Sequence, residues 1–171
     1  MSLREVARRA GVAPAAPYHH FPDKDALLFA LAQDGFRGLQ QAQGAAVEGE
    51  ADPGARLNLM IETYLRYSIA HGAHYRTMFP PKIADPSSAW GAVAVAAFQR
   101  LSMAVAAVRT DLAPGAVMKV STAVWALCHG IVTLRLDGLL VGAGPFATDA
   151  ELIAHAASAA EAIVLRASAV P

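Results

Sequence analysis

The stretch Leu3–Leu28, LREVARRAGVAPAAPYHHFPDKDALL, constrains the fold more than any other part of the chain. Leu3, Val6, Ala7 and Ala10 fall at i, i+3, i+4 and i+7, the stripe of a short amphipathic helix. Gly11 follows at once, where a sharp exit from a helix needs positive φ. Val12 is expected to pack back under that turn. A second short helix fits Pro14 to His20, with Pro14 in the first turn, where a missing N–H costs nothing. Phe21-Pro22-Asp23 then breaks the chain, and Asp23 can cap a third helix starting at Lys24. Helix, Gly turn and short helix form the helix-turn-helix pattern, whose second helix enters the major groove of DNA.

With 171 residues, the chain can hold a small head and a larger body. It is 55% hydrophobic and rich in Ala, which suits closely packed helices. The formal net charge is zero, so overall charge lends no support to nucleic-acid binding. Locally, Arg4, Arg8, Arg9 and Lys24 are offset by Glu5, Asp23 and Asp25. Cys128 is the only cysteine, which excludes an intrachain disulfide and points to a reducing cytoplasm. Met1 leads straight into a charged amphipathic helix, so no signal peptide is read. Apolar runs such as Trp90 to Ala97 are short, and longer ones carry Arg, Asp or His. No membrane partner is expected.

Six further helices are expected after the head, giving an all-α fold. The first runs from Asp23 to about Val47, its Ala26, Leu27 and Phe29 sealing the head. The next, Pro53 to Ile69, carries Leu57, Ile61, Tyr64, Leu65 and Ser68 on one face. A short one, Ala73 to Met78, ends at Phe79-Pro80-Pro81. Ser87 to Val108 follows, with Trp90, Val93, Ala97, Leu101, Ala104 and Val108 on a stripe. Pro114 to about Val141 has one seam through Val117, Val120, Val124, Leu127, Ile131 and Leu134, and further apolar residues facing elsewhere. Such a helix must be buried on two sides. Thr148 or Asp149 caps the last helix, whose stripe of Leu152, Ala156, Ala159, Ala160 and Ile163 is mostly small. Two C-terminal helices with more apolar surface than one chain covers argue for a homodimer through a four-helix interface.

The head resembles the TetR family of bacterial transcriptional regulators. Ala10-Gly11-Val12, the segment Ala13 to Pro17, Tyr18-His19-His20-Phe21 and Lys24 stand in the family's order and spacing. The body resembles a subgroup with a Trp-His-Gly signature, matched by Trp125, His129 and Gly130. The resemblance implies a DNA-binding head over residues 1–35 and a helical effector-binding and dimerisation domain over 36–171. It places base-edge contacts on Pro14, Ala15 and Ala16, and phosphate contacts on Tyr18, His20 and Lys24; His19 can add a donor. Ala15 and Ala16 offer only methyl contact to a thymine methyl group. Ala13 stands where the family has a capping Ser or Thr, Pro14 where a basic residue is common, and Pro17 where an apolar one is usual. The resemblance begins at the family's second helix. Leu3, Val6 and Phe21 would then lack cover, and poor DNA binding is expected of such a head.

Other chemistries find little support. His71 and His74 have a spacing that could hold a metal, but no third ligand stands nearby in sequence, and no metal or other cofactor is expected. Cys128 and His129 are adjacent and point about 100° apart on a helix, which argues against a catalytic dyad. An enzyme is not expected. Candidates for an effector pocket are Met60, Tyr64, Tyr67, Met78, Phe79, Trp90, Phe98, Trp125 and His129. The function implied is that of a repressor, a homodimer on operator DNA released by a small molecule. The alternative is an all-α small-molecule-binding or interaction module of the same ancestry that does not bind DNA.

Overall fold

A computed structural model of the chain describes residues 2–80, 88–142 and 144–168. Pro81 and Ser87, placed above at the edges of two elements, lie outside the described residues. The elements follow in order as α1 (Leu3–Arg9), a 3₁₀ turn (Ala16–His19), α2 (Lys24–Ala46) and α3 (Pro53–Ala70). They continue as α4 (Gly72–Met78), α5 (Ala89–Val108), α6 (Pro114–Leu136) and α7 (Asp149–Arg166). The fold is all-α.

Side-chain caps set most of the helix starts. Ser2, Asp23, Asp52, Ser88 and Thr148 each accept a backbone N–H from the first turn that follows. At the other end of α7, the Arg109 guanidinium donates to the carbonyls of Val164 and Ala167, at 2.6 and 2.7 Å. It thereby satisfies groups that the helix leaves unpaired.

The main core lies where α3, α6 and α7 meet, around Leu57, Leu65, Val124, Val132, Ala156 and Ala160. Asn58 adds a bond from its amide to Glu161 at 3.0 Å, tying α3 to α7. A smaller cluster of Phe36, Leu39 and Met78 fastens α2 to the body. There α2 packs chiefly on α4 and α3. A Cβ on Gly35 would stand 2.8 Å from the Met78 sulfur, and one on Gly38 would stand 2.2 Å from the Tyr67 hydroxyl. The two glycines are therefore notches that receive side chains of the body.

Several expectations need correction. The second head helix is a 3₁₀ turn over Ala16–His19, not a helix over Pro14 to His20. Pro17 lacks the N–H that an α-helix begun at Pro14 would use after its first turn, and the bonds Ala16 to Ala13, Tyr18 to Ala15 and His20 to Pro17 span three residues, with a span of four only at the exit, Phe21 to Pro17. Val12 is about half exposed rather than tucked under the Gly11 turn, although its N–H reaches the Ala7 carbonyl. Leu3 is buried, while Val6 and Phe21 border an open apolar groove with Ala10, Pro17 and Leu27. Phe29 does not seal the head; its ring lies 5.1 Å from that of Trp90 in the body.

In the C-terminal half, α6 stops at Leu136 rather than near Val141, because Gly138 turns the chain with φ +80°. Its buried seam runs through Val117, Val120, Val124, Cys128 and Val132, and Leu134 is exposed. The α7 residues Leu152, Ala156 and Ala160 are buried inside their own chain, so this part of the small-residue stripe is core rather than free surface. Finally, α5 and α6 are each long and apolar enough to cross a bilayer, with mean hydropathy 1.6 and 1.5 over their best windows. In the fold they pack on each other and on α3.

Candidate functional site

Two regions carry candidate functional side chains, and α2 joins them. The first is the head. Gly11, at φ +69°, reverses the chain after α1. The 3₁₀ turn then presents Tyr18, His19 and His20 outward, all exposed, with Lys24 exposed at the start of α2. Pro14 and Ala15 are exposed on the approach to the turn, and Ala16 is half-buried at its first residue. A phenol, imidazoles and an ammonium on one short segment can all donate to phosphate oxygens. The head's other cations are partly occupied. Arg8 and Arg9 both bond to Glu5, at 2.7 and 2.8 Å, and hold its carboxyl below the usual range, Arg8 more strongly.

The second region is a cavity of about 1090 Å³. One wall is α2, through Gln33, Phe36, Arg37, Leu39, Gln40 and Gln43. Gln43 is fixed there, its amide donating to the Met60 carbonyl at 3.0 Å. Opposite stands α5, from Ala92 to Leu101, and the inner end is closed by α3 and α6. Of the residues proposed from sequence, Met60, Tyr64, Phe79, Phe98 and Trp125 line this cavity. Tyr67 does not; its hydroxyl sits in the Gly38 notch and its ring lies 4.3 Å from His71. Met78 is core beside Gly35, and the Trp90 ring packs at an inclined angle against Phe29.

His129 stands behind the wall. Its Nδ1 lies 2.7 Å from the Tyr75 hydroxyl, which lies 2.9 Å from the Tyr64 hydroxyl. The tautomer of His129 sets both hydroxyl protons. With Nδ1 as acceptor, Tyr75 donates to it, Tyr64 donates to Tyr75, and Tyr64 keeps only lone pairs for a ligand. Trp125 and Phe79 flank the imidazole, with ring centroids 5.6 and 4.8 Å away. Burial raises the pKa of Tyr64 and Tyr75 and pushes the Cys128 thiol up to about 12. Cys128, though it borders the cavity, therefore keeps its proton and is a poor nucleophile. Sequence reasoning missed the α2 wall and Cys128. The i, i+4, i+7 spacing of Gln33, Arg37 and Gln40 was the available signal for a polar stripe on α2.

Burial also lowers His129 below its ordinary value of 6.5. The folded state then resists a proton that the unfolded chain accepts first. Stability is unaffected above the ordinary pKa and falls as pH drops through it. The melting temperature should therefore fall more for the native protein than for His129→Asn between about pH 7.5 and about pH 5.5. Equal slopes would show that the imidazole is not shielded.

Comparison with known proteins bears on both regions. The profile of the bacterial regulatory proteins of the tetR family matches residues 1–31, and that of the tetracyclin repressor-like C-terminal domain matches residues 57–160. A Rhodococcus sp. RHA1 protein of unknown function is similar over 94% of this chain and 83% of its own, with 33% identity and a TM-score of 0.73. The TetR family transcriptional regulator PfmR from Thermus thermophilus shares the fold at a TM-score of 0.72 and 21% identity, over 96% of this chain and 88% of its own. A bacterial regulatory protein in the tetR family from Rhodococcus RHA1 does so at a TM-score of 0.65 and 20% identity, over 100% of this chain and 88% of its own. With the N-terminal profile on the exposed head and the C-terminal profile on the helices around the cavity, the chain belongs to the TetR family of transcriptional regulators.

Proposed function

We propose that this transcriptional regulator is a repressor that binds operator DNA as a homodimer and is released when a small molecule enters the cavity. Regulators of this family bind operator DNA, typically as dimers, and are generally non-enzymatic cytoplasmic proteins. The observation that carries the reading is α2. It starts at the Asp23 cap, three residues after His20 in sequence, and ten residues later it is a wall of the cavity. A ligand wedged between α2 and α5 acts on the rod that carries the head. Two heads whose separation no longer matches successive major-groove turns lose affinity for their half-sites. On this reading the head is residues 1–35 and the effector-binding and dimerisation domain is 36–171, the division falling at the Gly35 notch within α2.

The dimer surface we assign is the outer face of α6, with the exposed side of α7. Ala123, Ala126 and Leu134 are exposed there, and a Cβ on Gly130 would meet nothing within 4 Å. Ser158 and Leu165 are exposed on α7. Small side chains on facing helices allow close approach in a four-helix interface. Ala126→Glu should convert a dimer to a monomer in light scattering while leaving helix content unchanged. A persisting dimer would place the interface elsewhere.

The functional reading is tested on the full chain with duplexes selected by it from a random pool. Ala97→Trp fills the cavity between α2 and α5 and should lower affinity for the selected site by at least about tenfold, as a bound effector would. Transcription from a promoter bearing that site should fall when the native protein is added. Unchanged affinity in the filled variant would sink the release mechanism, and a rise in transcription would make the protein an activator.

A further inference from the structure

We propose that the cavity selects an amphipathic anion, an extended apolar molecule ending in a carboxylate that Arg37 and Arg100 hold. The inference rests on the cavity being the effector site and adds the class of molecule it takes. In a chain with 14 basic and 14 acidic residues, the charged side chains on the described lining are Arg37 and Arg100, with no carboxylate among them. Away from these cations the surface is apolar, through Phe36, Val93, Ala97, Phe79 and Trp125. Its volume of about 1090 Å³ lies slightly above the usual range for drug-sized ligands. A small polar molecule would leave most of those walls wet. A large cation would meet two like charges, and a neutral hydrocarbon would leave them unused.

Neither arginine is held by a strong partner among the described residues. Arg37 pairs with Asp34 at 3.4 Å, with both side chains about two-thirds exposed. Such exposed pairs hold weakly and yield readily to a better-placed carboxylate. Arg100 is half-buried and forms no ion pair among the described residues. A guanidinium presents paired N–H donors that match a carboxylate. Arg37 lies on α2 and Arg100 on α5. One anion between them would link the helix that carries the head to the helix that forms the far wall.

The test uses the full chain with Trp90→Phe, so that fluorescence reports on Trp125 in the cavity wall. Three probes share one apolar tail and differ in the head group: dodecanoate, dodecanol and dodecylammonium, each below the concentration at which it forms micelles. Dodecanoate should bind at least about tenfold more tightly than dodecanol, and dodecylammonium least. Added salt should weaken dodecanoate and leave dodecanol unchanged. Arg37→Gln with Arg100→Gln should erase the preference, and Arg37→Lys with Arg100→Lys should restore most of it. Equal binding of the three probes, an unchanged preference in the glutamine variant, or no binding of any probe overturns the proposal. The two readings fail separately. Dodecanol that binds without preference for the acid leaves a general effector cavity, whereas dodecanoate that binds selectively and leaves operator affinity unchanged sinks the release mechanism alone.

Discussion

Changing Tyr18 to Phe, His20 to Ala and Lys24 to Ala together should lower affinity for selected duplex DNA by about a hundredfold or more. Each change removes a donor on the exposed face of the head, and each hydrogen bond to a charged group contributes roughly 1.5–3 kcal/mol. The loss should be nearly the same for all duplexes, because phosphate contacts position the protein without reading bases. The slope of log affinity against log salt should become shallower by about 0.9 for each phosphate that is no longer neutralised. Ala15→Gly is the contrasting case, since it touches only a methyl group and should alter preference at one base pair at most. A triple variant with native affinity would remove the 3₁₀ turn from the DNA interface.

Leu65→Ala should be among the most damaging single truncations in the body. Leu65 is 0% exposed and sits in the cluster that joins α3 to α6 and α7. Removing it leaves a cavity that costs about 2–5 kcal/mol. In a chain of this size that is a fall in Tm of roughly 5–20 °C. Leu139→Ala, at a leucine 60% exposed, should change Tm by no more than a degree or two, within roughly 0.5 kcal/mol. Similar losses in the two variants, followed by calorimetry, would show that the core lies elsewhere.

The helices were largely legible in the sequence because their starts are chemically marked. Asp23, Ser88 and Thr148 are short polar side chains placed just before apolar runs, and they are the caps. The seam of α6 was less legible, because large aliphatic side chains mislead. Leu134 looks like core and is exposed, while Ser121 looks like surface and is buried, its hydroxyl satisfied by the Val117 carbonyl at 2.8 Å. The segment from Pro14 to His20 carried its own warning in Pro17, which removes an N–H that an α-helix would use after its first turn. The cavity was half legible. Aromatic and Met residues on inward faces could be named, yet Trp90 and Trp125 carry the same signal, and only tertiary packing sends one to Phe29 and the other to the cavity. That α2 lines the cavity could not be read from local pattern alone, which marks a polar stripe but not what faces it. Its polar stripe of Gln33, Arg37 and Gln40 looks like a solvated face until α5 stands opposite.

The notches at Gly35 and Gly38 bear on the kind of response a regulator of this build can give. The Tyr67 hydroxyl and the Met78 sulfur lie 2.2 and 2.8 Å from where Cβ atoms on Gly38 and Gly35 would stand, so both side chains key α2 to the body at one register. Any small slide or rotation drives backbone against a filled groove. A large slide of α2 would have to unseat both side chains, and packed surfaces tend to be bistable rather than continuously deformable. On the release mechanism proposed above, a rod held this way would transmit a threshold rather than a gradient: weak or misfitting occupants of the cavity would leave the head in place, and a fitting one would move it in a single jump.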